Sequence, residues 1–336
     1  MTDYRIITEI DRAQWSDFVY RHPRGNIFQT PEMFDVFANT GGYEPLAAAA
    51  ADDRGNIAGI VSAVVQKENP GVTGRLSARS IIWGGPLVKD DDPAVLDTLL
   101  NGYDRLIAPR AIYSQYRNLW DQEKTKTVFA HARYEYEEHL DILVDLNKSE
   151  KELWKEVNPR GRNKIRRAQK EGTAFKDLTG KINVMAFYDI LDDVYRKAKL
   201  PLPGVSLFRS AADVLLEKKM IRFFAAVNNN KVIGTLIALC YKDTIYDWYA
   251  GSYREFYNKY PNDILPWNVF LWGKENGYTL FDFGGAGKPG EPYGVRDYKK
   301  KFGGTFVNFG RYKKIHKPIL MKIARTGFRV WQKVKF

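Results

Sequence analysis

Residues 281–304 read FDFGGAGKPGEPYGVRDYKKKFGG and hold the densest set of chemistry-bearing side chains in the chain. The cations Arg296, Lys299, Lys300 and Lys301 follow the glycine pair Gly284 and Gly285. Asp282 interrupts the otherwise apolar strand pattern of residues 278–283. Glycines at a strand end let the backbone turn freely or approach a ligand closely. Three consecutive lysines after such a strand serve a core poorly and suit the neutralisation of an anionic substrate. Asp282, and Asp247 in the neighbouring strand pattern IYDWYAGS, are candidate bases with raised pKa values. Tyr249 and Tyr257 are candidate proton donors or stacking groups, and Arg296 a candidate substrate contact. Each aspartate can equally be a solvent-face carboxylate, and each tyrosine a core aromatic.

A second basic cluster, RGRNKIRRAQK, places Arg160, Arg162, Lys164, Arg166, Arg167 and Lys170 within eleven residues, with only Ile165 and Ala168 on an apolar side. Six like charges without interleaved acids repel one another, so a polyanion contact competes with the reading of a solvated helix. Residues 313–336 carry eight cations and no acid, so eight of the net +12 charges lie there. From Pro318 onward, Ile319, Leu320, Ile323, Ala324, Val330, Trp331 and Val334 fall on one helical face, opposite Lys322, Arg325, Arg329 and Lys333. That pattern suits an interfacial membrane helix or a terminal helix packed on the body. The four histidines lack metal-ligand spacing, so no metal is expected. GGAGKPG departs from a phosphate loop, because Pro289 follows Lys288 where Ser or Thr is needed and Asp282 replaces the first glycine.

The elements that must position these residues read as a duplication. At 336 residues, 44% hydrophobic, the chain is long enough for two cored domains. Residues 46–65 and 222–240 each read as strand, polar turn, strand. Each hairpin precedes an aromatic strand (80–86, 245–252), a helix opened near Pro93 or Pro266, and a further strand near 110–117 or 278–283. Two copies of one α/β module follow, with mixed sheets flanked by helices. Ile142, Val144 and Leu146 alternate as a strand that closes the first half, and Ser149 with Glu152 forms a capping box for the next helix. This places domains at 1–174 and 175–315, with a basic amphipathic helix at 316–336. The single cysteine, Cys240, lies in an apolar strand and reads as a core residue, in keeping with a reducing compartment. No run reaches the roughly 18 apolar residues of a membrane span, and the amino-terminal residues lack an apolar signal region. The expected location is cytoplasmic, with peripheral contact at the inner face of the cell membrane through residues 318–336 as an option.

Together NPRGRNKIRRAQKEG, LPLPGVSLF, YDWYAGS, LPWNVFLWGKENGY and FDFGG…GVRDYKKKFGG resemble the FemABX peptidoglycan-bridge enzymes, over residues 26 to 315. The resemblance implies two tandem GNAT-type domains and transfer of an aminoacyl group from charged tRNA to an amine on a cell-wall precursor. It implies tRNA contact by basic surface, which points to residues 160–170. The family's Phe-Lys pair within F-K-x-G-F matches Tyr298-Lys299, so Lys299 inherits a role in stabilising the reacting group. The family's phosphate-binding lysine in the first domain would fall near Phe37, which cannot bind phosphate, and the long helical hairpin of FemA and FemB has no counterpart here.

Acyl transfer to an amine needs a deprotonated nucleophile, a stabilised oxyanion and a proton for the leaving oxygen. Lys299, Tyr249 and Asp282 are the expected catalytic residues. Tyr298, Gly284, Gly285, Tyr257 and Arg296 are the expected substrate contacts. No tightly held cofactor is expected; the donor is aminoacyl-tRNA, with acyl-CoA as the alternative. GSYREFYNKYPNDILPWN lacks the R-x-x-G-x-G/A loop that CoA-using GNAT domains wrap around pyrophosphate, and GGPLVKDDDPAV presents three aspartates there. An anionic cell-wall or glycan precursor is the expected acceptor. A CoA-dependent N-acyltransferase for surface glycans and a non-catalytic polyanion-binding or membrane-docking protein remain the other two readings.

Overall fold

The computed structural model describes residues 4–67 and 77–322. The chain divides into two compact units, residues 1–138 with 309–336, and residues 139–308.

In the first unit the strands are β1 (Arg5–Ile7), β2 (Tyr43–Ala51), β3 (Ile57–Gln66), β4 (Arg79–Trp83), β5 (Leu87–Val88), β6 (Tyr113–Arg117) and β7 (Glu135–Glu137), joined by a C-terminal strand at Arg311–Ile315. Its helices are α1 (Arg12–Arg21), α2 (Pro31–Ala38), α3 (Pro93–Ile107) and α4 (Lys126–His131). The β2–β3 turn is set by Asp52, whose carboxylate accepts from the Arg54 and Asn56 amides. Helix α3 starts where Asp92 caps the Ala94 and Val95 amides and Pro93 occupies the first turn. Its Val95, Leu96, Leu99, Leu100, Tyr103 and Ile107 face the sheet in one core cluster.

The second unit contains β8 (Asp141–Asp145), α5 (Glu150–Glu156), α6 (Pro159–Lys170), β9 (Ala174–Asp177), α7 (Val184–Lys197), α8 (Val205–Leu215), β10 (Ile221–Asn228), β11 (Lys231–Tyr241), β12 (Thr244–Ser252), α9 (Pro261–Glu275), β13 (Leu280–Gly285), α10 (Gly294–Lys300) and β14 (Thr305–Val307). Asn229 and Asn230, both at positive φ, make the two-residue turn between β10 and β11 that suits strand twist. One face of this sheet packs Phe224, Leu236, Cys240, Ile245 and Phe281 against α6 and α9. Cys240 is a buried core thiol, pushed up to about 12 by burial.

The two sheets share one strand order. The first runs β1-β2-β3-β4-β6-β15-β7, with β15 the strand Arg311–Ile315, and the second β9-β10-β11-β12-β13-β8-β14. In both, the central junction (β4/β6 or β12/β13) is the parallel one and the next strand is antiparallel. The two expected copies of one module are therefore present, but each sheet takes its sixth strand from outside the continuous half. The first receives β15 from the C-terminal segment, and the second receives β8. The expected break at 174/175 thus falls inside the second unit, and residues 309–315, expected in the second domain, lie in the first. Alternation at Ile142, Val144 and Leu146 announces a strand without saying which sheet edge it will join. The second α/β helix also opens earlier than expected, at Pro261, leaving Pro266 inside it. Residues 318–322 are helical, and the rest of the expected amphipathic helix, 323–336, lies outside the described residues. Among the described residues no helix is long and apolar enough to cross a membrane.

Candidate active site

In the second unit β12 and β13 pair in parallel only from Thr244↔Leu280 to Tyr246↔Asp282. Beyond that pair the strands part. On β12, Asp247 pairs with Ala238 of β11 and Tyr249 with Ile237, so Trp248 is the extra residue of a β-bulge. On β13, Gly284 takes φ +68 and turns the chain. A Cβ there would stand 3.1 Å from the Tyr246 hydroxyl oxygen, so glycine alone fits the close approach.

Lys299, from α10, reaches back to this turn. Its Nζ donates to the carbonyls of Phe283 (2.6 Å), Gly285 (2.9 Å) and Gly284 (3.1 Å). Three ammonium protons meet three carbonyls, so the side chain clamps the end of β13 while its charge stays at the opening. Asp247, the first residue of β12 past the parallel pairing, lies within the influence of that charge. Burial pushes its carboxyl up to about 6, and the Lys299 ammonium partly offsets the rise. Asp247 in turn helps raise the half-buried Tyr195 phenol of α7, held at about 12 chiefly by burial.

Asp282 also feels the Lys299 charge. It is buried and accepts from the Gly284 amide at 2.7 Å. Burial holds its pKa well above the usual carboxylate range, and the hydrogen-bonded carboxyl of Asp141 adds to the rise. With the two buried carboxyls in hydrogen-bond contact, ionising one disfavours ionising the other. Asp141 pairs in register with Gly285, so the β8 strand delivers the second carboxyl. Sequence reasoning missed Asp141 because its strand had been assigned to the other module.

The remaining expected residues divide by role. Tyr298 is half-buried, its pKa raised by desolvation, and its hydroxyl donates to the Asn262 carbonyl at 2.6 Å. In an unbroken helix that carbonyl would accept from residue 266, but Pro266 has no N–H. Tyr298 therefore completes α9. The Arg296 guanidinium donates to the carbonyls of Ala286 (2.8 Å), Lys288 (2.5 Å) and Glu291 (2.9 Å), shaping the 286–291 loop. Lys301 forms a buried ion pair with Asp263 in the first turn of α9, while Lys300 is exposed. Tyr249 sits just past the bulge, its ring 4.9 Å from Phe208. Tyr257 stands exposed on the turn Arg254–Lys259, apart from the groups that converge on Lys299.

Of the basic cluster, Arg160, Arg166, Arg167 and Lys170 are exposed along α6, while Lys164 is half-buried. Arg162 is committed locally, donating to the Val157 (2.5 Å) and Lys155 (3.1 Å) carbonyls that end α5.

The equivalent place in the first unit is closed. Strands β4 and β6 pair without a break from Arg79↔Tyr113 to Trp83↔Arg117. Trp83 stacks with Phe28 and with Phe37, the position at which a phosphate-binding lysine was sought. The wholly buried Gln29 seals the seam beside it. Its Nε2 donates to the Ser62 (3.0 Å) and Trp83 (2.8 Å) carbonyls, and its Oε1 accepts from the Ser62 amide (2.8 Å). One side-chain amide thus stands in for a missing stretch of ladder between β3 and β4. Among the described residues no cluster could hold a metal ion.

With this geometry in hand, comparison with known proteins is informative. A family model described as an acetyltransferase (GNAT) domain matches residues 159–300, from α6 to α10. A search of curated proteins returns no match. Among solved structures, FemX superposes with a TM-score of 0.72 at 16% identity, covering 95% of this chain and 100% of FemX. The structure of L-PGS from Bacillus licheniformis gives 0.59 at 16% identity, covering 95% and 97%. A tandem GNAT protein from the clavulanic acid biosynthesis pathway gives 0.59 at 9% identity, covering 94% and 99%. Duplicated sheets of one strand order, the GNAT domain in the second unit and the end-to-end match to FemX lead to one conclusion: the chain has the tandem GNAT acyltransferase fold, of FemABX-like architecture.

Proposed function

We propose that this chain is an N-acyltransferase that moves an aminoacyl group from charged tRNA to an amine on an anionic cell-wall precursor. The observation that carries the reading is the single opening between β12 and β13, bordered by Asp247 and Lys299, against the sealed counterpart in the first unit. One unit offers a place for chemistry; the other is free to serve recognition.

In this mechanism the donor's ester carbonyl lies at the bulge. The acceptor ammonium loses a proton to the Asp247 carboxylate, whose raised pKa makes it a competent base near neutrality. The freed amine attacks the carbonyl carbon and a C–N bond forms. The tetrahedral oxyanion is stabilised by the fixed charge of Lys299, whose own protons hold the Phe283–Gly285 carbonyls. The ester C–O bond then breaks, the proton on Asp247 passes to the departing hydroxyl oxygen, and the second proton on the new C–N nitrogen is released to solvent, leaving a neutral amide. The Asp141–Asp282 pair keeps the turn rigid beneath Lys299.

Two findings support a donor other than CoA. The segment between β12 and α9 is a 3-10 turn, Arg254–Lys259, rather than a glycine-rich loop. The first turn of α9, where a pyrophosphate would rest, holds the buried Asp263. Incubation with charged tRNAs and with acyl-CoAs in parallel, scoring label transfer to cell-wall precursors, tests the reading. Transfer from tRNA that falls about 100-fold in Lys299→Met is expected; transfer from CoA alone overturns the donor.

A further inference from the structure

The outer side of α6 carries a second feature that the acyl-transfer chemistry does not use. A cleft of about 560 Å³ opens between α5, α6 and α9, lined by Lys151, Trp154, Arg166, Gln169 and Trp267 among others. The Trp154 and Trp267 rings lie 4.8 Å apart, inclined at 60°. Trp267 is buried, so it forms the floor, while Trp154 remains half-open. The Arg166 guanidinium lies over Trp154, 5.3 Å from the ring centroid. The next residue, Arg167, lies over Tyr260 in the same manner, at 5.1 Å.

A guanidinium laid on an indole is held flat by cation–π attraction, and its outer face is then presented as a rigid, charged platform. Nucleobases stack on such platforms, and each base has a π-face whatever its sequence. Lys151 lines the cleft beside Glu150, and the exposed Arg167 and Lys170 follow Arg166 on the same helix, so cations are at hand for phosphates on either side of a stacked base. The Gln169 amide at the rim offers both a donor and acceptors for a base edge. An anionic bilayer would call for aromatic rings projecting from the surface, whereas Trp267 is sunk at 5% exposure.

We infer that this cleft is a stacking subsite for one unpaired base of a single-stranded RNA segment, with Trp154 and Arg166 as the platform and Lys151, Arg167 and Lys170 as the phosphate contacts. The inference deepens the reading of an RNA-borne donor and rests on it for its biological meaning, but its test stands alone. The probe is a fluorescently labelled eight-residue oligoadenylate, read by anisotropy, with inorganic polyphosphate and phosphatidylglycerol/phosphatidylcholine vesicles as competitors.

Arg166→Lys keeps the charge of an exposed side chain and removes the planar face, so it should weaken oligoadenylate binding about 5- to 20-fold. Competition by polyphosphate should stay as in the parent protein. Trp154→Leu should weaken the oligonucleotide at least as much; because Trp154 also packs on the core, the Arg166 variant decides the matter if that protein fails to fold. Unchanged oligoadenylate binding in Arg166→Lys overturns the inference, as does an equal loss of oligonucleotide and polyphosphate. Vesicle binding that depends on Arg166 while oligoadenylate binding does not would assign the cleft to a membrane instead. If charged tRNA donates while Arg166→Lys binds oligoadenylate normally, the subsite fails and the function stands. If the variant discriminates but no tRNA donates, the subsite stands and the donor reading fails.

Discussion

Asp247 is the residue whose environment makes the sharpest prediction. Its carboxyl is raised from the ordinary aspartate value to about 6 by burial, with Lys299 opposing. As the base it must be ionised, so the transfer rate should climb with pH, level off above about 6, and lose this limb in Asp247→Asn. The stability effect has the opposite sense. A carboxyl with a raised folded-state pKa contributes stability that is complete below its unfolded value and lost as pH rises through the folded value. Asp247→Asn should therefore be more stable than the parent above pH 6, by up to about 3 kcal/mol, with the difference gone near pH 4. Chemical denaturation at a series of pH values reads this directly. An inactive variant whose stability advantage over the parent is no larger at pH 8 than at pH 4 would place Asp247 outside the low-polarity opening. Asp247 was legible as a carboxylate inside a strand pattern, but its ionisation was not, because a pKa is set by neighbours from other segments. Asp282 was singled out from the same signal, while its partner Asp141 was not.

At the scale of elements, side chains repair interrupted backbone ladders at two points. Pro266 leaves the Asn262 carbonyl of α9 without a helical donor, and Tyr298 supplies one. Tyr298→Phe should cost about 1–3 kcal/mol, the cost of a buried carbonyl left unpaired. Pro266→Ala, which restores the missing N–H, should recover much of that loss in the Tyr298→Phe background and little in the parent. Equal effects of Pro266→Ala in both backgrounds would sink the pairing. Gln29 plays the matching part in the first unit, satisfying Ser62 and Trp83 together. Gln29→Leu strands three backbone groups and should lower stability by about 3–5 kcal/mol in urea titration. Neither repair was legible beforehand. Pro266 read as the opening of a helix because proline favours that position, and the helix in fact opens one turn earlier, at Pro261. Arg162, grouped with the polyanion contacts by charge alone, is spent on the end of α5; Arg162→Ala should reduce stability by about 1–2 kcal/mol and leave oligonucleotide affinity within about twofold.

For the whole molecule, the decisive fact is that the chain returns. β15 lies between β6 and β7, and Tyr312 is buried there with its ring stacked on Phe129 at 4.1 Å. Lys314 pairs with Asp104 of α3, and His316 bonds Ser114 at 2.8 Å. Tyr312→Ala removes a fully packed ring and should cost about 3–5 kcal/mol. The loss belongs to the first unit, so hydrogen exchange should quicken in β3, β4 and β6 while the β10–β12 amides keep their protection. Uniform acceleration across both sheets would mean that the units unfold as one. The exchange of sixth strands also explains why the sequence boundary was misplaced: domain limits follow the hydrogen-bonded sheet, not the order in which strands are translated.

Local pattern alone determined the two hairpins and the aromatic strands after them, the polar turns within those hairpins, the capping box at Ser149, the duplication and the α/β class. Each depends on periodicity or on interactions within a few residues. The grouping of Gly284, Gly285, Asp282 and Lys299 was legible too, because one short segment carries all four. Tertiary structure alone decided which of two similar junctions is open. It also decided that Lys299 spends its protons on carbonyls, that the Asp141 carboxyl meets Asp282, and that Tyr298 and Arg296 bond to backbone carbonyls. Those outcomes depend on distances between segments far apart in sequence, and on the low-polarity surroundings that their packing creates; composition and spacing encode neither.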